Sequence, residues 1–481
     1  MGVIINQELL YGGSQNGAAP VGQQLIFTIS ENSGYLNTYY NVKYLAELHV
    51  STTPINVSVT TDLVATFKTT PNNAGVGIFD FRTLLESFVE SDNRGFTNGI
   101  VSSTYKTKTY DEVPHPIHII DKFSRSEKAV RYFAIQFKAE GATTATTPVT
   151  IIPGSSENSD QFTFFNGVLQ RENYLKLENN NYGYDLESAL LYTANLPGDN
   201  KNNFLSNAPT TQYANVNDYG TFAYLNFLPE TSDEVAYIKI SYYTEENAGG
   251  SLQATDTLTN SNANGGAEDI TDGSTTNLQY FGIFPGNLQN YSTNFNATTT
   301  MSYTVQAYNE SNVILSKLYT INVNCPETKG FESIRLCWLN QWGVWDYYTF
   351  KMKSVRSTTT NKTTYTQMSG TWNDTTFRID GYKGGRKNFR VNATERISIN
   401  TDFINELEAV WFEELMNSQQ VYMLNGYDST ETAPYHTITN KYVEPVLVTT
   451  SNYIRKTIAN DKLIQDTFEL ERNKTQQTQT A

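Results

Sequence analysis

The sequence predicts a mainly β protein, built as two or three antiparallel β-sandwich or barrel-like modules with a few short helices. Three observations predict it. Charged residues make up 17% of the 481 residues, below the roughly 25% of ordinary globular chains. Their place is taken by Asn, Thr, Ser and Gln together with 32 Tyr and 25 Phe, residues that suit strands and turns rather than helices. Short apolar stretches, many alternating with polar residues, recur between Gly-, Asn- and Pro-containing breaks, and only two stretches carry a helical stripe.

At roughly 100–200 residues per domain the length suggests about three modules. The first spans 1–153. Residues 1–20 are polar and glycine-rich and read as an arm with few anchoring groups. Gln23 to Ser30 reads as a strand. So does Tyr44 to Val50, with Tyr44, Ala46, Leu48 and Val50 on one face and Glu47 and His49 on the other. Val57 to Lys68 continues the pattern. Phe81, Leu84, Leu85, Phe88 and Val89 form a short helical stripe. Arg131 to Lys138 and Pro148 to Ile152 are further strands.

The second module, 154–324, opens with FTFFNGVLQ, where Asn166-Gly167 supplies the positive φ angles of a tight hairpin turn. Thr221 to Leu228, Val235 to Tyr243 and Met301 to Tyr308 read as strands. In the last, Met301, Tyr303, Val305 and Ala307 alternate with polar residues, as in a half-buried strand. Residues 245–278 are nearly free of large apolar groups. They bury too little to offset their ordering entropy and read as a flexible loop.

The third module, 325–481, holds the most distinctive motif. Ile334, Leu336 and Trp338 alternate through a strand, Asn340 to Gly343 turns, and Trp345 to Met352 returns. Asn340 suits a turn that bonds its own backbone, Gly343 supplies a left-handed residue, and Asp346 can accept turn amides. Trp338 and Trp345 then pack from the two strands. The motif reads as a fold determinant, not an active site. Strands follow at Thr363 to Met368 and Phe389 to Val391. A helix over 401–417, capped by Asn400 or Thr401, carries Phe403, Ile404, Leu407, Val410, Trp411 and Leu415 as its apolar stripe. Pro445 to Thr449 and Leu463 to Leu470 are the last strands, before a frayed polar tail.

The net charge of −15 argues against a nucleic-acid backbone as partner, since such binding needs concentrated basic surface. No stretch approaches the ~18–20 apolar residues of a membrane span, and MGVIINQELLYGG lacks the regions of a signal peptide. Cys325 and Cys337 are no disulfide framework; they could pair, but read as small buried hydrophobes in a chain made in a reducing cytoplasm.

Candidate chemistry is sparse. His115 and His118 are three apart, but Pro116 favours extended chain and no further ligands complete a zinc site. EDITDG at 268–273 opens like a calcium loop without the terminal bidentate glutamate. Glu413 and Glu414 are helix neighbours and read as a solvated face, not carboxylates converging on a bond. GYKGGRK at 381–387 could touch phosphate but reads as a glycine turn with solvated lysines. The aromatics between Trp338 and Phe350 could stack on sugars but read as core. No nucleophile elbow or phosphate loop occurs. The expectation is therefore no catalysis, no metal and no cofactor.

Several segments together resemble a family of virion structural proteins of tailed phages infecting Bacteroidetes-type hosts and marine relatives. These are PVGQQLIFTIS, GIFDFRTLLESFV, FFNGVLQRENY, FLSNAP, SIRLCWLNQWGVWDYYTF, ELMNSQQVYML and EPVLVTTSNYIRKTIANDKLIQDTFELE. The resemblance spans most of the chain, and the Trp-Leu-Asn…Gly…Asp hairpin is its most recognisable part; 245–278 looks like an insertion. It implies a virion part: a tail, neck or hub/baseplate subunit that assembles with itself, as a ring or multi-subunit complex, and with other virion proteins. A receptor- or glycan-binding tip that touches host-surface glycan, or a capsid-decorating protein, are the alternatives. The family carries no catalytic residues over to this chain.

Overall fold

The computed structural model describes residues 2–10, 18–55, 62–91, 124–126, 128–169, 175–179, 181–184, 186, 202–226, 235–259, 277–309, 311–324, 331–371, 374–424, 443–454 and 464–473. His115, His118, His436, Cys325, the EDITDG stretch and the polar tail from 474 lie outside these residues. The chain forms two compact units. The first holds Met1–Pro326 with Leu339–Tyr347, and the second holds Glu327–Trp338, Tyr348–Asn425 and Asn440–Ala481.

The mainly β expectation stands. Every sheet among the described residues is an open path, so the barrel alternative falls away. Pairing is mainly antiparallel. Two pairs at sheet edges are parallel: Ala18–Pro20 with Phe162–Phe165, and Thr211–Asn215 with Tyr319–Asn324.

Two sandwich-like pairs of sheets form most of the described part of the first unit. A three-stranded sheet (Val3–Gln7, Ile26–Glu31, Gly77–Asp80) faces a larger sheet built on Tyr40–Ser51 and Val130–Ala142. Phenylalanine rings interlock between them. Phe27 of the small sheet meets Phe133, Phe137 and Phe162 of the large one at 6.3, 6.1 and 5.7 Å between centroids. Such edge and tilted ring contacts add to the burial of the rings themselves. The second layer pair sets a five-stranded sheet against a three-stranded one. There Phe204, Phe222 and Phe281 pack with Tyr319, the Phe222–Tyr319 centroids lying 5.1 Å apart.

Several local expectations are corrected. Residues 2–10 and 18–20, expected to lie in a loose arm, are held in place. Val3–Gln7 pairs with Ile26–Glu31, and Val3, Leu9 and Ala19 are buried. His49, expected on a polar face, is 2% exposed. The strand Ser302–Tyr308 is buried on both faces, and Met301 at its start is exposed. Asn166-Gly167 turns no hairpin: neither residue has positive φ, and Val168 N–H instead donates to the Gln341 carbonyl at 2.8 Å. Within the expected flexible loop, Leu252–Thr259 is an edge strand paired along Tyr237–Tyr243, and 260–276 lie outside the described residues. Its own apolar content is low. The neighbour's unpaired backbone groups order it.

The described strands of the second unit lie in one seven-stranded sheet in the order Trp345–Phe350, Ile334–Leu339, Val421–Leu424, Val443–Val448, Thr467–Arg472, Gly385–Asn400, Val355–Gln367. One helix, Glu406–Asn417, packs Trp411 against Trp338 at 5.0 Å and Phe412 against Phe468 at 5.8 Å. The helix begins five residues later than expected. Asn405, not Asn400 or Thr401, caps it, with Glu408 closing a reciprocal capping box. Phe403 is exposed, and Ile404 sits in a β-bridge with Ile464. Glu414, expected on a solvated face, is 4% exposed.

Candidate functional site

The residues of the hairpin motif are buried. Asn340 Oδ1 accepts from the Trp342 and Val344 amides at 3.0 and 3.3 Å, and its Nδ2 donates to the Leu205 carbonyl at 2.9 Å. Gly343 has φ +74° and lies so close to the Asn166 carbonyl that a Cβ would overlap it. Asp346 was expected to accept turn amides; its Oδ1 accepts the Ser206 hydroxyl at 2.6 Å. Trp338 packs on Trp411 and Phe412. Trp345 is buried, as are Trp342, Tyr347 and Phe350. These rings present no face on which a sugar could stack. Cys337 is a fully buried free thiol, and burial pushes its pKa up.

Among the described residues no group of three or more His, Cys, Asp or Glu side chains is placed to hold a metal ion. No helix among them is long and apolar enough to cross a membrane.

The surface that stands out lies elsewhere in the second unit. Val355–Gln367 and Gly385–Asn400 form a two-stranded ribbon with thirteen residue pairs in register and one bulge between Thr363 and Thr364. Only Arg396–Asn400 of the return strand pairs with a further strand, Thr467–Arg472. Residues 357–367 and 385–395 therefore have each other and no third strand among the described residues. At about 3.3 Å per residue this free length is roughly 35 Å. The outgoing strand is exposed on both faces over nearly all its length. Its sequence, VRSTTTNKTTYTQ, explains how it is a strand without a core: threonine's branched Cβ favours extended backbone and its hydroxyl tolerates water.

An isolated hairpin is marginal in water, so the root must hold. It is clamped by a five-membered ion network. Arg356 binds Glu332 through two nitrogens at 2.9 and 2.6 Å and Glu395 at 2.8 Å. Arg472 binds Glu395 at 2.9 Å and Glu444 through two nitrogens at 2.7 Å each. Two-pronged arginine–carboxylate pairs are the strong, oriented kind. Arg356 and then Arg472 hold the Glu395 carboxyl below its ordinary range.

The far end is ordered by turn geometry. Gly370, Gly384 and Gly385 have φ of +95°, +78° and +81°, and Thr371 and Arg378 exchange hydrogen bonds across the tip. Around this turn Phe377, Ile379 and Tyr382 are 61%, 76% and 76% exposed. Met368 and Phe389 are exposed as well, and Phe389 stands edge-on to Tyr365 at 6.4 Å. The GYKGGRK stretch forms this turn, as its glycines suggest, with Lys383 held by Asp380 at 3.2 Å. Lys362, Arg386, Lys387 and Arg390 have no carboxylate partner among the described residues; the last three hydrogen-bond to Thr364, Gln367 and Asn392.

Sequence reasoning found pieces of both strands but not the ribbon. The available signal was a threonine-rich run facing a basic one across a glycine turn. No protein-family model matches the chain, and no curated protein matches it.

Proposed function

We propose that this chain is a non-enzymatic structural subunit of a tailed-phage particle, a tail, neck or hub component that works by protein–protein assembly. The observation that carries the assembly half is the ribbon. Large exposed apolar side chains grouped on a surface mark an interaction site, and here Phe377, Ile379 and Tyr382 fall within six residues of one another on an arm with a clamped root. The particle half rests on the family resemblance of the hairpin and its companion segments. A glycan-binding tip is the second reading, supported by the exposed rings of Phe377 and Tyr382, which could stack on sugars. The test is mass spectrometry of purified particles with copy number taken against the major capsid protein. A single closed ring is expected at about a dozen copies or fewer. Hundreds of copies would favour capsid decoration, and absence from particles would overturn the reading.

A further inference from the structure

We infer that the occupant of the ribbon is a second copy of this same chain, whose acidic surface receives the basic ribbon of its neighbour. The inference rests on the assembly reading above and names its partner.

Charge complementarity is the first argument. Between residues 355 and 400 there are eight Lys or Arg against three Asp or Glu, a net +5, in a chain whose total is −15. The remaining residues therefore carry −20. Along the free part of the ribbon, Lys362, Arg386, Lys387 and Arg390 lack an intramolecular carboxylate among the described residues. Two ribbons brought together would set like charges side by side, so ribbon-to-ribbon pairing is disfavoured. A ribbon against the rest of another copy meets the opposite sign.

Area is the second argument. A ribbon about 35 Å long and two strands, about 10 Å, wide offers on the order of 350 Å² of flat surface per face. A stable interface needs roughly 800 Å² per partner. One face is too small, while both faces and the apolar tip together reach it. The neighbour must therefore clasp the ribbon, with Phe377, Ile379 and Tyr382 as the buried anchor and the cations around them setting orientation. Aromatic anchors inside a polar rim are how interface energy is usually distributed. An arm of this kind either exchanges reciprocally between two copies or passes around a ring.

The test uses the full chain in sedimentation and native mass spectrometry at about 50 and 500 mM salt, a range over which exposed charges become screened. Self-association is expected at low salt, falling towards the single 54.1 kDa chain at high salt. Two variants follow. One combines Lys362→Glu, Arg386→Glu, Lys387→Glu and Arg390→Glu. The other replaces 361–392 by an Asn-Gly turn between the paired residues Thr360 and Ala393. Both are expected to lose self-association. The shortened chain keeps its acidic surface, so it is expected to bind the full chain while failing to bind itself.

Self-association that survives charge reversal in a folded variant overturns the inference and leaves the assembly reading standing. So does a full chain that stays monomeric yet is found in purified particles. A monomer absent from particles overturns both. Salt-sensitive binding to heparin or single-stranded DNA that charge reversal abolishes, with self-association unaffected, also overturns the inference, in favour of a polyanion.

Discussion

Two pairs of long strands in this molecule look alike as backbone and differ in everything else. Tyr40–Ser51 pairs with Val130–Ala142, and Val355–Gln367 pairs with Gly385–Asn400, each as an antiparallel ladder ten or more residues long. The first pair is buried on both faces among interlocked phenylalanines. The second is open to water, threonine-rich and anchored at its root by arginine–carboxylate pairs. Hydrogen-bond ladders do not distinguish them. Burial makes the first a core, and its absence makes the second available to a partner.

The comparison is sharpened most by removing a ring from the buried pair's surroundings. Phe27 is fully buried and touches four other phenylalanine rings. Phe27→Ala is expected to cost about 3–5 kcal/mol in the urea midpoint of the first unit. Thr360→Ala on the ribbon should stay within about 0.5 kcal/mol. A comparable loss at Thr360 would break the distinction between core and arm.

The second test is pH. His49 lies in the buried pair with no hydrogen-bond partner for either ring nitrogen among the described residues, and burial holds its pKa below the ordinary histidine value. Its unfolded form takes up a proton near pH 6.5, so its contribution is present above that pH and is lost as pH falls, at up to about 1.4 kcal/mol per pH unit. Glu8 acts in the opposite sense. Burial, then the nearby Asp160 carboxylate, raise its pKa to about 7, so it favours the folded state as pH falls from about 7 towards 4.5. Below about pH 6.5 the two act against each other. His49→Phe is expected to make stability rise on acidification and Glu8→Gln to make it fall, as read from chemical denaturation. Identical pH profiles for the two variants would contradict the assignment.

A smaller loss than in the buried core is expected at the ribbon root. Glu395→Gln removes the carboxylate shared by Arg356 and Arg472. The arginines are about a third exposed, so the loss should be about 1 kcal/mol and should shrink in high salt. Because the Glu395 pKa is lowered in the folded chain, its contribution is present above the ordinary carboxylate value and disappears as pH falls through the folded one. Hydrogen exchange of amides in 357–367 is the direct readout. Unchanged protection there would mean that the root does not hold the arm.

Much of this architecture was legible because it is written in short-range chemistry. The alternation from Ile334 to Trp338, the asparagine turn at Asn340 and the left-handed Gly343 all require residues whose own preferences match their positions. The helix was legible in kind but not in its start. Phe403 and Ile404 extend the apolar stripe on paper, whereas the capping pair Asn405 and Glu408 sets the first turn. Asn166-Gly167 and Leu252–Thr259 were misread for a common reason. Each is shaped by a neighbour far along the chain, Gln341 in one case and Tyr237–Tyr243 in the other.

The sequence by itself determined that the protein is β-rich, that a turn falls at Asn340 to Gly343, and that its excess charge is negative. Only the tertiary structure decided which strands are covered. Threonine and lysine in extended backbone look the same whether a sheet closes over them or not. Only the packing of other elements, which leaves 357–367 and 385–395 uncovered among the described residues, turns a strand pair into an arm.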